Sequence, residues 1–193
     1  NGIDLEVFKP VSSNFRKKHN IPEGKRILLG VAFGWGEKKG LDVFIRLAES
    51  LDSEKYQIVL VGVDENTASQ LPSKIISVCR TQNQKELAEI YSTADLFINP
   101  SREENYPTVN MEAIACGTPV LTFRTGGGPE IVAEGCGSVV EWNDVDALEK
   151  EVCRIMEERP FSKERCLEKS VEFDSRSKYK EYVKLYEVDS EHV

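Results

Sequence analysis

DLFINPSREENYPTVNMEAIACGTPVLTF, residues 95–123, contains one complete structural unit. Its first six residues form an apolar run ending at Pro100, which cannot donate a ladder hydrogen bond. A polar turn follows. Pro107-Thr108 then suits the first turn of a helix, because the N–H that proline lacks would have no partner there anyway. The helix predicted over 108–116 leads to a second apolar run at 119–123. The unit therefore reads strand, turn, helix, strand. The same alternation extends outward, with apolar runs at 27–33 (ILLGVAF), 57–63 (QIVLVGV), 75–78 and 137–141. Leu41, Phe44, Ile45, Ala48 and Leu51 lie at helical spacing, and residues 85–94 (KELAEIYSTA) also read as helix. Continuous apolar strands alternating with helices predict an α/β, Rossmann-like parallel sheet with helices on both faces. From Asn143 the signals are helical: 144–158, a break at Pro160, then a tail rich in Lys, Glu and Tyr. Ligands of such sheets bind at the carboxyl ends of the strands.

The composition limits the function classes. The chain has 193 residues, 25 Lys+Arg and 33 Asp+Glu, for a formal charge of −8. That length suits one domain with an appendage. Hydrophobic residues at 40% and charged residues at 30% describe an ordinary globular protein. The acidic balance argues against a nucleic-acid partner, which calls for a basic surface. No apolar run approaches the ~18 residues of a membrane span, and no charged–apolar–small leader opens the chain, so neither a span nor a signal peptide is expected. The start Asn1-Gly2-Ile3, without Met, is expected of a piece of a longer protein.

Five cysteines (Cys79, Cys116, Cys136, Cys153, Cys166) form no C-x-x-C pair, and a reducing, cytoplasmic setting fits them. Cys79 and Cys116 lie in apolar runs, where cysteine acts as a small hydrophobe. The two histidines, His19 and His192, lack neighbours at metal-ligand spacing, so no metal site is expected.

Three loops could carry chemistry. Gly34-Trp35-Gly36-Glu37-Lys38-Lys39-Gly40 follows a strand and opens a helix, where backbone N–H groups favour an anion and Lys39 adds a full charge. A plain turn with solvated lysines would read the same way. The spacing is neither the G-x-G-x-x-G of dinucleotide binders nor a P-loop. In the second loop Glu104 lies before the helix predicted at 108 and Glu112 lies eight residues later, inside it. Carboxylates accept hydrogen bonds from hydroxyls and helix-start amides hold phosphates, so this arrangement suits a sugar nucleotide. Otherwise these are a solvated loop glutamate and a helix glutamate in a surface pair. Glu112 stands among Met111, Ala113, Ile114 and Ala115, and a carboxylate buried there requires a reason. The third loop, Thr125-Gly126-Gly127-Gly128-Pro129-Glu130, offers a further turn for phosphate or sugar, or a flexible connector. Arg102 and Arg124 are expected to make the mouth locally basic.

Glu104 and Glu112, spaced E-x7-E within PSREENYPTVNMEAIACGTPV, resemble the signature of family 4 retaining glycosyltransferases, the group 1 glycosyl transferases. NGIDLEVFKP at 1–10, KKGLDVFIRLAESL, LVGV at 60–63, ELAEIYSTADLFINPS and TGGGPEIV at 125–132 follow in the same order, so the resemblance covers most of residues 1–141. It implies one half of a GT-B fold, with residues 1–193 forming the C-terminal, donor-binding domain and the N-terminal acceptor domain absent. It further implies an enzyme that moves a hexose from a nucleotide-diphosphate sugar, with retention, to a saccharide or lipid-linked acceptor, as in polysaccharide synthesis. This fragment alone would then be inactive, and the full-length protein cytoplasmic or peripheral at a membrane.

Glu104 would contact hydroxyls of the transferred sugar, Glu112 the nucleotide ribose, and Lys39 the diphosphate, with backbone amides around Thr108 and Val109. Gly34, Asn105 and Tyr106 would complete the donor contacts, and backbone groups near Cys79-Arg80-Thr81 would receive the base. The substrate would be a UDP- or GDP-sugar, with no metal and no other cofactor. The chain departs from the pattern twice. The family's arginine after the first strand is absent from VAFGWGEK, and its G-F-G after the first glutamate is Asn105-Tyr106-Pro107. Two alternatives stay open: a non-catalytic nucleotide-sugar-binding module, and a nicotinamide-dependent oxidoreductase domain with Asp64 as the acidic residue after its second strand. The aromatic stripe Tyr179, Tyr182 and Tyr186 is expected to form core or interdomain contact.

Overall fold

The computed structural model describes residues 1–132 and 134–189, with side chains through Val183. Six strands form one parallel sheet: β1 (Arg26–Val31), β2 (Tyr56–Val61), β3 (Ile75–Val78), β4 (Leu96–Asn99), β5 (Val120–Phe123) and β6 (Gly137–Val140). Their order is β3-β2-β1-β4-β5-β6. The helices are α1 (Phe15–Lys18), α2 (Leu41–Ser50), α3 (Glu65–Gln70), α4 (Gln84–Thr93), α5 (Thr108–Ala115), α6 (Gly128–Ile131), α7 (Val145–Glu158), α8 (Lys163–Ser170) and α9 (Ser175–Asp189). All six predicted strands are present, in a Rossmann-like α/β fold with a helical C-terminal end.

The alternation of side chains along β1 explains why both faces must be covered. Ile27 and Leu29 pack with Tyr91 of α4 and Met111 and Ile114 of α5 on one face. Leu28 points the other way, to Phe44 and Leu47 of α2 and Leu148 and Val152 of α7. All of these are essentially inaccessible to water, and at about 1.5–3 kcal/mol per large apolar side chain they drive the folding of both layers. Polar side chains start the covering helices: Asn83 accepts from Glu86 N, Asp144 from Ala147 N and Ser162 from Arg165 N.

β1 is the centre of the topology. After β1 the chain builds outward through β2 and β3, then returns to pair β4 with the other side of β1. The loops that follow β1 and β4 thus diverge across the sheet, and the space between them is the crevice where ligands of open α/β sheets bind.

Some sequence expectations are corrected. The run at 27–33 leaves the sheet after Val31, and Phe33 is fully exposed. Cys79 is also exposed, because β3 ends at Val78 before its side chain can pack, whereas Cys116 is buried and its thiol is pushed up to about 12 by desolvation. Tyr179 and Tyr182 are exposed on α9, so neither is core within this chain; the side chain of Tyr186, like His192, lies outside the described residues. α9 begins where Ser175 N donates to Ile3 O and Ile3 N donates to Phe173 O, tying residues 1–10 to the C-terminal end. Among the described residues no helix is long and apolar enough to cross a membrane.

Candidate functional site at the crevice between β1 and β4

Loop 32–40 leaves β1 and folds back on the sheet through its tryptophan. Trp35 Nε1 donates to Val61 O at 2.9 Å, and its ring meets Phe44 edge-on at 5.4 Å. Gly34 turns the chain at φ +78°. Gly40, at φ +73°, lies so close to Pro100 that a Cβ would come within 2.6 Å of that residue's carbonyl oxygen. Only glycine lets the two crevice loops meet there. The amides of Lys39, Gly40 and Leu41 all donate within the turn, to Gly36 and Glu37 carbonyls. Those three amides are therefore spent locally, and the loop reaches the crevice through the side chains of Phe33, Trp35 and Lys39.

Loop 100–107 supplies the other wall. Lys39 Nζ lies 2.7 Å from Glu104 Oε1, with side-chain exposures of 32% and 13%. Both line a cleft of about 280 Å³ together with Phe33, Trp35, Tyr106, Thr108 and Val109. Thr108 and Val109 are the first two residues of α5, too early for their amides to find a carbonyl four residues back within the helix. Asn105 faces an adjoining shallow groove with Glu103, Glu104 and Thr125.

Glu112 sits one turn further into α5. Its Oε2 accepts from the hydroxyl of Tyr91, itself fully buried, at 3.0 Å. Desolvation by burial raises the Glu112 carboxyl above the ordinary range and outweighs the Tyr91 and Thr108 hydrogen bonds that favour its charged form. Two hydroxyls of the chain itself thus hold this carboxylate in place among its apolar neighbours.

The glycine run at 126–128 does something other than expected. A Cβ on Gly126 would lie 2.0 Å from Glu104 O, and one on Gly127 would lie 2.3 Å from the Tyr106 ring. Gly127 N also donates to Asn105 O at 2.5 Å. Gly126 and Gly127 thus form a backing plate pressed against residues 104–106, the segment that carries Glu104.

Arg102 and Arg124 do not make the mouth basic. Arg102 grips Asp42 with two nitrogens at 2.8 and 2.7 Å and also binds Asn143 and the Glu37 carbonyl, while Arg124 pairs with Glu141 at 2.9 Å. Thr81 is not brought to the cleft. It follows β3, which is the edge strand rather than a mid-sheet one, and β2 separates it from β1. Asp64 caps α3 through the amide and hydroxyl of Thr67, so the carboxylate that favoured a nicotinamide ribose site is occupied. Among the described residues no group of three or more His, Cys, Asp or Glu could hold a metal ion.

A family profile described as "Glycosyl transferases group 1" matches residues 11–182. The chain belongs to that family. A D-inositol 3-phosphate glycosyltransferase of Nocardiopsis dassonvillei is 32% identical over 178 residues, covering 81% of this chain and 41% of its own length. Sucrose-phosphate synthase from Thermosynechococcus elongatus superimposes on the whole chain with a TM-score of 0.84 at 25% identity, matching 52% of that protein. Anabaena Alr3699/HepE, solved with UDP-glucose, superimposes on 97% of the chain with a TM-score of 0.80 at 16% identity, matching 56% of that protein. The chain therefore spans about half the length or less of these relatives, and the Anabaena likeness shows the shared GT-B fold alone.

The sequence reading missed several residues that shape this candidate site. Tyr91 gave no signal beyond its place in a helical pattern. Asn110 is fully buried in α5, where its Oδ1 accepts from Asn99 Nδ2 at 2.9 Å across the start of the crevice. A polar residue inside the apolar run VNMEAIA was the one available clue to it.

Proposed function

We propose that the chain is the donor-binding domain of a retaining hexosyltransferase acting on a UDP- or GDP-sugar, with no metal. The acceptor, a saccharide or lipid-linked saccharide, would sit on a preceding domain. The observation that carries this reading is the convergence of Lys39 and Glu104, from different loops, beside the first turn of α5 at the β1/β4 crevice. That the chain spans 41% of the Nocardiopsis relative supports a separate acceptor region, and the UDP-glucose complex of the Anabaena protein supports the donor class.

In this reading Lys39 and the amides of Thr108 and Val109 hold the diphosphate. When the sugar C1–O bond breaks, the electron pair stays on the leaving phosphate oxygen, and charge already fixed beside it lowers the barrier. The acceptor oxygen attacks the same face, giving its proton to that phosphate oxygen, so no enzyme nucleophile is needed. Glu104 receives hydroxyls of the sugar. Glu112 receives the ribose hydroxyls, its rotamer set by Tyr91 and Thr108. Gly34 shapes the loop, and Asn105 and Tyr106 border the sugar. A base near Thr81 would reach across the β2 end of the sheet.

The test is a thermal-shift series with UDP, GDP, ADP, their hexose conjugates and NAD(P). A ligand at 100 times its dissociation constant stabilises by about 2.7 kcal/mol, which is readily resolved. Stabilisation by one nucleoside diphosphate series, weakened by about 1.5–3 kcal/mol in Glu112→Ala, is the expected result. Stabilisation by NAD(P) alone, or full donor affinity in a folded Glu112→Ala variant, would overturn the assignment.

A further inference from the structure

We propose that the Lys39–Glu104 ion pair makes the cleft discriminate against bare nucleoside diphosphate, the product, in favour of the intact nucleotide-sugar. This rests on reading the cleft as the donor site.

The pair spans the cleft at 2.7 Å, and Glu104 is the more enclosed partner. The other cations around the mouth have carboxylates of their own: Lys38 has Glu103, Arg102 has Asp42 and Arg124 has Glu141. An incoming diphosphate therefore has to draw Lys39 away from Glu104. That leaves a poorly solvated carboxylate without its counter-charge, which is costly unless something replaces the lysine. An intact donor supplies the replacement, because its sugar hydroxyls donate to Glu104 where Lys39 did. A bare diphosphate has no hydroxyl at that position. It also brings its terminal phosphate oxygens toward the same carboxylate, so like charges meet at short range. The ion pair accordingly re-forms as product leaves, and the resting cleft disfavours anions that do not carry a sugar.

The consequence has an unusual sign: neutralising a residue of the site tightens binding of one ligand. Glu104→Gln leaves Lys39 free and keeps an oxygen that accepts from sugar hydroxyls. Titration calorimetry of the wild-type chain and this variant with UDP, GDP, inorganic pyrophosphate, UDP-glucose and GDP-mannose reads the effect. The expected result is about a tenfold tightening for the effective nucleoside diphosphate and for pyrophosphate. The sugar conjugate is unchanged or weaker, so its preference over bare diphosphate collapses. Glu104→Asp, whose carboxylate reaches one methylene less far, gives the same sign with a smaller change and serves if Glu104→Gln folds poorly. Lys39→Met weakens all of these ligands. A wild-type chain that binds nucleoside diphosphate, with variants that bind it equally or more weakly, would overturn the proposal while leaving the donor reading intact. A wild-type chain that binds no nucleotide and no nucleotide-sugar overturns both.

Discussion

Three cation–carboxylate pairs tie residues 38–42 to the loop at 100–107, and two of them differ in what surrounds them. Arg102 and Asp42 make a two-pronged contact, reinforced by Asn143 and the Glu37 carbonyl, with the guanidinium side chain only 15% exposed. Lys39 and Glu104 make one contact at the cleft wall. The planar fork of arginine satisfies several acceptors in one geometry, whereas an ammonium on a flexible stem can swing from one partner to another when a replacement for it is at hand. The first pair is a strut that holds the start of α2 and the turn before it to the loop at 100–107. The second is an exchangeable contact within the space the strut keeps open.

Gly126→Ala is the severest test of that division, because it attacks the backing on which Glu104 rests. The new Cβ would fall 2.0 Å from Glu104 O at a φ of +49°. The expected loss is about 2–4 kcal/mol of stability, with donor binding falling alongside, measured by denaturant melts and by titration. A Gly126→Ala variant with native stability and affinity would mean that the backing plate is not needed.

Arg102→Ala is expected to cost about 2 kcal/mol and to lower donor affinity as the loops separate, since several charge-assisted hydrogen bonds are lost together. Arg102→Lys should recover little, because the fork geometry is absent. Lys39→Met, by contrast, should cost less, about 1 kcal/mol, because one part-exposed contact is lost rather than four hydrogen bonds. If the two replacements cost the same stability, strut and exchangeable contact are not distinct.

The smallest effect concerns the pH dependence of the two carboxylates outside the Lys39 pair. The Arg102 hydrogen bonds hold Asp42 below the ordinary carboxylate range. Its contribution to stability is therefore present above the unfolded-state value and lost as pH falls through the lowered folded one. Glu112 is raised by burial, so its contribution is complete below the unfolded-state value and lost as pH rises through the raised folded one. Near neutral pH Glu112 is thus a cost to the fold. Glu112→Gln should raise the melting temperature at pH 7 by about 2 °C while weakening nucleotide binding. A lower melting temperature would mean that the charged carboxylate stabilises the fold, contrary to the burial argument.

Strand positions were legible because continuous apolar runs such as 57–63 and 95–99 suit only strands covered on both faces. The end of β1 was less legible. Ala32 and Phe33 are as apolar as the residues before them, yet they leave the sheet as the chain turns toward Gly34. Glu104, Glu112 and Lys39 were legible as candidates from spacing and loop position. The roles of Arg102 and of the glycines at 126–128 were not, because each depends on a partner far away in sequence: Asp42 for one, the carbonyls of residues 104 and 105 for the other.

Sequence alone determined the layered α/β architecture, which follows from local periodicity, while the order of its motifs carried the family resemblance and with it the two glutamates as candidates. The tertiary structure decided which charges face the cleft. Arg102 and Arg124 carry full charges in the sequence, but each is bound to a neighbour that folding brings to it. Lys39 meets Glu104 across 65 residues. Whether a charge serves the fold or a ligand depends on what lies within a few ångströms of it, and that distance is set by packing.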